Sequence, residues 1–357
     1  MLRYINKVLF KYGVNYKKLI PTFLDNLSVY LFHAKPKRGP SYVNWSVSKN
    51  CDFHCIYCDR WKEYDLKEDP LTSEEKLKLV DQLADSGVCM LSLCDKEPLL
   101  AEDLELVVSR AKKRRMSVNI STNGFLLKEK ARTLVDLGVD SLIISVESHI
   151  AQMHDAIRGK PDSFARICAG IEEIKKIRKN KLRPFLSIRG LINKETFGYL
   201  RSYIEYWGNK IDEIILKPIT QNELMHYSIP SKMQFCPADR NSFEKNYYQI
   251  LGDYPVMDNP YNRAIPLYFF EPETLMRKYD CFAGFLFGNI DLSGNVYFCG
   301  EKEHRIGNIR ERGFLKLWSS PQACQERKKL LSNKNCFCWL ELFLPAIYLT
   351  NIFRRRR

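Results

Sequence analysis

The stretch "SKNCDFHCIYCDRW" sets Cys51, Cys55 and Cys58 at spacings of four and three residues. Thiolates this close on one loop can hold a metal ion or wrap one corner of an iron–sulfur cube. Four ligands would close either site, and the stretch offers three. Three thiolates on three irons of a cube leave the fourth iron open to an exogenous ligand. A tetrahedral zinc ion would instead need a fourth protein ligand nearby. His54 lies between two of the cysteines and cannot easily fold back while both are bound.

A second set follows far downstream: Cys281, Cys299, Cys324, Cys336 and Cys338. Gly294 lies between the first two, at the turn of a hairpin signal, "GNIDLSGNVYFCG", whose strands flank Ser293–Gly294. A zinc ribbon is the structural alternative for this unit. The chain has twelve cysteines in 357 residues. Arg3, Lys7 and Lys11 interrupt the apolar N-terminus, and no small-residue cleavage site follows, so no secretory signal is expected. Cysteines in a cytoplasmic chain point to metal or redox use rather than disulfides. Cys89 and Cys168 fall on a strand and a helix core and read as small hydrophobes. Cys236 lies in an aperiodic stretch where it could face a cavity. His149, His154 and His304 show no ligand pattern of their own.

The elements that must position these residues alternate regularly. Strands are predicted at 42–48, 88–93, 117–122, 140–147, 184–190 and 211–218. Helices are predicted between them at 73–87, 102–115, 128–138, 163–178 and 196–208, the first with Ser73 near its N-cap and Gly87 as its stop. Such alternation implies right-handed βαβ units and a parallel sheet. Six units are too few for a closed eight-fold barrel, so an α/β partial (β/α)6 TIM-like barrel with a small cysteine-bearing C-terminal unit is expected. The first cysteine group follows the first strand directly, at the end of the barrel where active sites form. Residues 219–280, rich in Tyr, Phe, Pro and Asn, show no clear period. They read either as a packed irregular connection or as a substrate-contacting insert.

Cys51-x-x-x-Cys55-x-Tyr57-Cys58 resembles the signature of the radical S-adenosylmethionine (SAM) superfamily, including the aromatic residue before the last cysteine. The resemblance implies a [4Fe–4S] cluster whose open iron is chelated by SAM, and reductive cleavage of SAM to a 5′-deoxyadenosyl radical. Further positions match in order. "DKEPLL" follows the second strand where relatives carry Gly-Gly-Glu-Pro, which implies that Glu97 meets the SAM amino group. Asp95 and Lys96 replace the two glycines, a departure that puts the local backbone geometry in question. "STNG" resembles the ribose-facing turn and implies a hydroxyl contact for Asn123. "ISVES" resembles the fourth-strand motif, with Glu147 where Asp is common. Ser145 and Arg158, the latter in "HDAIRG", match positions that bind the SAM carboxylate. Tyr57 completes this cofactor-binding set.

The C-terminal unit is similar to the auxiliary-cluster extension called SPASM, or its shorter form, twitch. Too few cysteines remain for two further clusters, which favours one auxiliary [4Fe–4S] cluster on Cys281, Cys299, Cys336 and Cys338. Cys324 is the alternate for one of the last pair. The resemblance also implies a reductant such as ferredoxin or flavodoxin.

The net charge is +14, and residues 1–40 carry eight basic side chains against Asp25 alone. "FRRRR" adds four more at the other end, so the middle of the chain is nearly neutral. A nucleic-acid enzyme would carry its charge around the active site, so no nucleic acid is expected. Leu2, Ile5, Leu9 and Tyr12 form one apolar stripe, and "WLELFLPAIYLTNIFRRRR" is an apolar run ending in arginines. Both ends suit a peripheral position on the anionic inner face of a membrane, or packing on the body as ordinary terminal helices. No run of 18 apolar residues predicts a membrane span.

The chain thus divides into a basic amphipathic arm (1–40), a core barrel (41–220), an aromatic-rich substrate-side insert (221–280), an auxiliary-cluster unit (281–340) and an apolar-basic tail (341–357). Three substrate classes compete: a lipid or other apolar molecule, a peptide, and a small alcohol or sugar. A non-enzymatic iron–sulfur or zinc scaffold would leave Glu97, Ser145 and Arg158 without purpose.

Overall fold

A computed structural model of the chain describes residues 12–62, 68–219, 228–299, 304–332 and 338–339. Most of the N-terminal arm's apolar stripe, the tail 341–357 and Cys336 lie outside the described residues.

Six parallel strands form the core: β1 (Tyr42–Ser46), β2 (Met90–Cys94), β3 (Ser117–Thr122), β4 (Ser141–Ser145), β5 (Phe185–Ile192) and β6 (Glu213–Pro218). They lie in sequence order across the sheet, as right-handed βαβ units require. The connecting helices are α2 (Ser73–Asp85), α3 (Leu104–Lys113), α4 (Leu127–Asp136), α5 (Ala151–Arg158), α6 (Ser163–Arg178), α7 (Lys194–Phe197) and α8 (Leu200–Gly208). Thr72, one residue before the expected cap, closes a capping box with Glu75 at the start of α2. The expected helix at 196–208 is two helices, broken at Gly198–Tyr199. The helix α5, which carries Arg158, was not apparent from the sequence, because eight residues hold barely two turns of pattern.

Alternation within the strands separates two environments. Leu91, Leu93, Val118, Ile120, Leu142, Ile144, Leu186 and Ile188 pack outward into the main hydrophobic core. The opposite face is polar and bonded strand to strand. Asn119 Nδ2 donates to Ser92 Oγ at 3.0 Å and Ser141 Oγ to Asn119 Oδ1 at 2.7 Å. Ser187 Oγ donates to Glu213 Oε2 at 3.1 Å. A barrel lumen lined this way stays satisfied without closing on apolar layers, so it can remain open to a polar ligand.

The expected hairpin is present as β7 (Phe287–Ile290) and β8 (Asn295–Tyr297), joined by β9 (Arg305–Asn308). Gly294 has φ 85°, and a Cβ there would stand 2.7 Å from Ile309 Cγ1, so the turn needs glycine. The sequence held no sign of how this unit attaches: β7 pairs in parallel with β1 and extends the barrel sheet to nine strands.

The aperiodic region differs from its reading as an irregular connection. It contains α9 (Arg240–Asp253), α10 (Pro260–Arg263), α11 (Ile265–Phe270) and α12 (Pro272–Lys278). Aromatic packing fixes these helices where periodicity is weak: Phe243 stacks on Phe197 and Tyr247, and Phe235 and Phe269 close around it. The N-terminal helix α1 (Tyr16–Phe32) crosses the N-terminal ends of the strands, where Thr22 Oγ1 donates to the Gly87 carbonyl and Asn26 Nδ2 to that of Gly39. Helix α13 (Phe314–Trp318) and α14 (Pro321–Ser332) complete the described chain.

Candidate active site

The cysteine loop leaves the C-terminal end of β1 and is held from below by a small apolar core. Phe53, Tyr57 and Ile157 are buried there with Ile219 and Met233. Ile56 N–H donates to the Ile157 carbonyl at 3.0 Å, tying the loop to the end of α5. The cap of α5 is Gly159, at φ 61°, where a Cβ would lie 2.3 Å from the His54 carbonyl oxygen. Only glycine permits that approach.

Cys51, Cys55 and Cys58 line one cavity of about 340 Å³ at this end of the barrel. Burial pushes the Cys51 thiol up to about 11 and the Cys55 thiol up to about 12, and it raises Cys58 as well. The bare loop therefore holds its protons, which a bound metal must displace. Among the described residues no three His, Cys, Asp or Glu side chains converge enough to share a single ion.

The second-strand motif answers the question of its missing glycines. Asp95 and Lys96 both adopt left-handed backbone, with φ 70° and 45°. The geometry that glycine favours is kept by residues that bear its cost through bonds. Asp95 accepts from Ser46 Oγ and from Arg60 Nη1, each at 2.8 Å. Lys96 Nζ reaches the Lys49 carbonyl at 3.0 Å. Glu97, fully buried, does not line the cavity. Its carboxylate accepts from Leu99 N–H at 2.9 Å, Thr122 Oγ1 at 2.7 Å and Asn123 N–H at 2.6 Å. Desolvation pushes this carboxyl up to about 7 against those three donors. The residue thus locks the ends of β2 and β3 together.

Asn123 lines the cavity and ties the ribose-type turn to the cysteine loop, donating from Nδ2 to Asp52 Oδ1 at 2.8 Å. Ser145 ends β4 facing the same space. Glu147, Tyr57 and Arg158 form a buried triad beside it. Tyr57 OH donates to Glu147 Oε1 at 2.8 Å, and Arg158 Nη1 donates to Tyr57 OH at 2.8 Å and to Glu147 Oε1 at 3.3 Å. Arg158 also lies over the Phe53 ring at 5.1 Å. The carboxylate fixes the guanidinium, and Arg158 Nε remains a buried donor with no partner among the described residues. A buried, unfilled donor in a cavity wall suits a ligand carboxylate.

Several functional residues escaped the sequence reading. His154, fully buried, accepts Glu147 N–H at Nδ1 over 3.1 Å and so positions the triad. Burial and the adjacent Arg158 hold this imidazole down at about 3. Its i+7 offset from Glu147 across a loop carried no signal. Cys94, the last residue of β2, faces the cavity, as do Arg189, Lys217, Asn289 and Tyr297. Their place at strand ends was the one available clue.

In the C-terminal unit Cys299 reaches the same cavity, Cys281 is half-buried, and Cys338 is buried next to Trp339, which stacks on Tyr261. Cys324 is exposed on α14 and lines a separate pocket with His33, Ser320 and Arg327. Cys236 is exposed, and no described residue from 228 to 288 lines the main cavity. The described part of the insert packs against the cysteine loop instead, through Met233 and Phe269.

Residues 45–206 match the radical SAM superfamily, and residues 281–339 match the iron–sulfur cluster-binding domain SPASM. The chain belongs to the radical SAM superfamily and carries a SPASM extension. It is 23% identical over 300 residues to an AdoMet-dependent heme synthase of Methanosarcina barkeri, covering 80% of this chain and 83% of that protein. It is 31% identical over 233 residues to a GTP 3′,8-cyclase of Nautilia profundicola, covering 62% and 73%. Among solved structures it superposes on Streptococcus suis SuiB with a TM-score of 0.62 at 15% identity, covering 83% of this chain and 69% of SuiB. It superposes on anSMEcpe with bound AdoMet at 0.60 and 18% identity, covering 87% and 85%. The protein is an enzyme that binds SAM at a [4Fe–4S] cluster and carries auxiliary iron–sulfur ligation in its C-terminal unit.

Proposed function

We propose that the chain abstracts hydrogen from an unactivated C–H of a substrate held in the barrel lumen, with Cys51, Cys55 and Cys58 holding the cluster. The observation that carries this reading is the convergence of the three thiols, Asn123, Ser145 and Arg158 on one cavity. A [4Fe–4S] cluster held by these three thiolates would, when bound and reduced, supply the electron for reductive cleavage of SAM, the source of the 5′-deoxyadenosyl radical that would take the hydrogen. Ser145 and Arg158 receive the SAM carboxylate, Glu147 and Tyr57 hold Arg158 in place, and Asn123 offers its amide to the ribose. Glu97 acts one step back, by fixing the turn that carries Asn123. Cys281, Cys299, Cys336 and Cys338 hold the auxiliary cluster. A one-electron donor of ferredoxin or flavodoxin type completes the cycle.

Anaerobic reconstitution of the full chain, followed by reduction in the presence of SAM, should yield 5′-deoxyadenosine. Cys55→Ala should lose the iron of the primary site and bring the yield to background. A Cys55→Ala chain that still makes 5′-deoxyadenosine sinks the assignment.

One observation favours a peripheral membrane position as well. Tyr16, Ile20 and Leu24 repeat every fourth residue on α1 and are 54–57% exposed, and Phe32 at its end is 77% exposed. No helix among the described residues is long and apolar enough to cross a membrane. Helix α1 crosses the end of the barrel opposite the cysteine loop, so a membrane held there leaves the cavity mouth facing away. Membrane attachment and a lipid substrate are therefore separate matters. Flotation with anionic vesicles should carry the full chain upward, and Ile20→Glu/Leu24→Glu should stay below; equal flotation of both chains removes α1 as the contact.

A further inference from the structure

A second cavity, of about 300 Å³, shares no lining residue with the one at the cysteine loop. Its walls come from two segments far apart in the chain. One is the end of α1, where His33 caps the helix in left-handed backbone at φ 52° and residues 34–36 continue the wall. The other is the start of α14, where Ser320 Oγ accepts the Ala323 N–H at 3.1 Å and caps the first turn. Ser320 and Pro321 both line the space, so the positive end of a twelve-residue helix opens on it.

Four basic side chains line this cavity, His33, Lys35, Arg327 and Lys328, and no carboxylate does. Arg327 is the buried member, 5% exposed. Its Nε donates to the Gly284 carbonyl at 2.6 Å and its Nη2 to the Trp318 carbonyl at 2.9 Å. The guanidinium also lies 4.7 Å from the ring centre of Phe298 and 4.9 Å from that of Trp318. These contacts fix the fork without supplying a counter-anion, and burial pulls the group down to about 10. Glu326, the acid of the same helix, is engaged by His304 and Lys329 instead. Neither Lys35 nor Lys328 has an ion-pair partner among the described residues. Cations gathered in a concavity focus their field on it and draw an anion there.

We propose that this cavity is a phosphate site, in which Lys35 and Lys328 engage a phosphate group and Arg327 is the buried cation behind them. A phosphate dianion suits it better than a single carboxylate. A guanidinium fork, two ammonium groups and a helix N-terminus can bond several oxygens at once. The site stands apart from the lumen, so its occupant is not the substrate of the radical reaction, and it does not depend on that reading. Occupied, it ties the end of α1 to the C-terminal unit. Two sources carry this chemistry: a soluble phosphate ester, and the headgroup of a lipid such as phosphatidic acid. Phe32, 77% exposed, directly precedes His33, so a membrane lying along α1 would bring headgroups beside the cavity.

The test uses the full chain, reconstituted anaerobically and saturated with SAM so that the first cavity is already occupied. Calorimetric titration with inorganic phosphate, at ionic strength held constant by chloride, should show binding in roughly the millimolar range or tighter. Lys35→Gln/Lys328→Gln should weaken it about tenfold or more, whereas Lys35→Arg/Lys328→Arg should keep it. Both lysines are exposed, so the Gln pair should melt with the parent in phosphate-free buffer and make as much 5′-deoxyadenosine. The parent should also melt higher with phosphate added, and the Gln pair should not. Absence of phosphate binding overturns the site, as does equal binding by parent and Gln pair. Flotation with phosphatidylcholine vesicles, with and without phosphatidic acid, then separates the sources for a chain that has passed. If phosphatidic acid lifts the parent more than the Gln pair, the site takes a lipid headgroup; if it lifts both equally, the site takes a soluble phosphate ester.

Discussion

The two walls of the cavity are built differently. On the β1–β4 side the polar groups are tied together locally: the cysteine loop hangs from Ile157, Glu97 locks two strand ends, and Arg158 Nη1 is clamped by Glu147 and Tyr57. On the β5–β8 side the lining side chains come singly from successive strands, Arg189 from β5, Lys217 from β6, Asn289 from β7 and Tyr297 from β8. The difference teaches that a wall serving a constant ligand can be fixed by short-range bonds within a few residues. A wall serving a particular substrate is set by which single residues the strands happen to present.

The clamp on Arg158 is where the first wall breaks hardest. Arg158→Gln leaves Glu147 buried with only Tyr57 and the Leu191 N–H, and removing one partner of a buried pair costs about 3–5 kcal/mol. Urea unfolding should show that loss, and SAM affinity should fall with it. The double variant Arg158→Leu/Glu147→Leu should recover most of the stability but none of the SAM affinity, separating the clamp's structural role from its binding role. A single variant as stable as the parent would mean that this wall is not held by the pair.

A smaller effect appears in the pH dependence, where two buried groups on the same wall oppose each other. Glu97 is raised to about 7, so it favours the fold below the usual carboxylate range and loses that contribution as pH rises toward 7. His154 is held at about 3, so its contribution is full above about 6.5 and falls away as pH drops. Between pH 5 and 6.5 the slopes cancel, and the parent chain should be nearly flat. His154→Gln should grow more stable on acidification from pH 7 to 5, and Glu97→Gln less stable, each by up to about 1.4 kcal/mol per pH unit. Denaturant midpoints across this range check it, and parallel curves for all three chains defeat it.

What the sequence disclosed follows the same division. The six strands, the hairpin turn and the cysteine loop were legible because period, spacing and turn chemistry are local. Five of the six expected SAM-side residues (Tyr57, Asn123, Ser145, Glu147 and Arg158) line the cavity. Glu97 does not, because the same acidic residue can bond a ligand or the next strand, and only the fold decides. The insert's helices were illegible because aromatic contacts such as Phe197 with Phe243 join distant segments. The parallel pairing of β7 with β1 is a contact across more than two hundred residues, beyond any periodic signal. Arg189 and Lys217 were passed over for the same reason: each is one charged residue on a strand until its neighbour strand is known.

The smallest effect concerns the two positions where relatives carry glycine. Asp95 and Lys96 share left-handed backbone, which costs a residue with a side chain roughly 1–2 kcal/mol relative to glycine. The same substitution should act with opposite signs at the two sites. Lys96→Gly relieves the backbone at an exposed side chain whose bond from Nζ goes to the Lys49 carbonyl, so it should be neutral or stabilising by up to about 1 kcal/mol. Asp95→Gly relieves the same strain but strips partners from Ser46, from Arg60 and from the Lys96 N–H. All three donors belong to residues of the cavity lining, one of them the Arg60 guanidinium. The loss should outweigh the relief, giving a net destabilisation of about 1–3 kcal/mol. Thermal melts of the two variants side by side measure the difference. If both shift upward, Asp95 is a tolerated departure and the wall's geometry is set by backbone alone; a downward shift for Asp95→Gly only means that the carboxylate is what replaces the missing glycine.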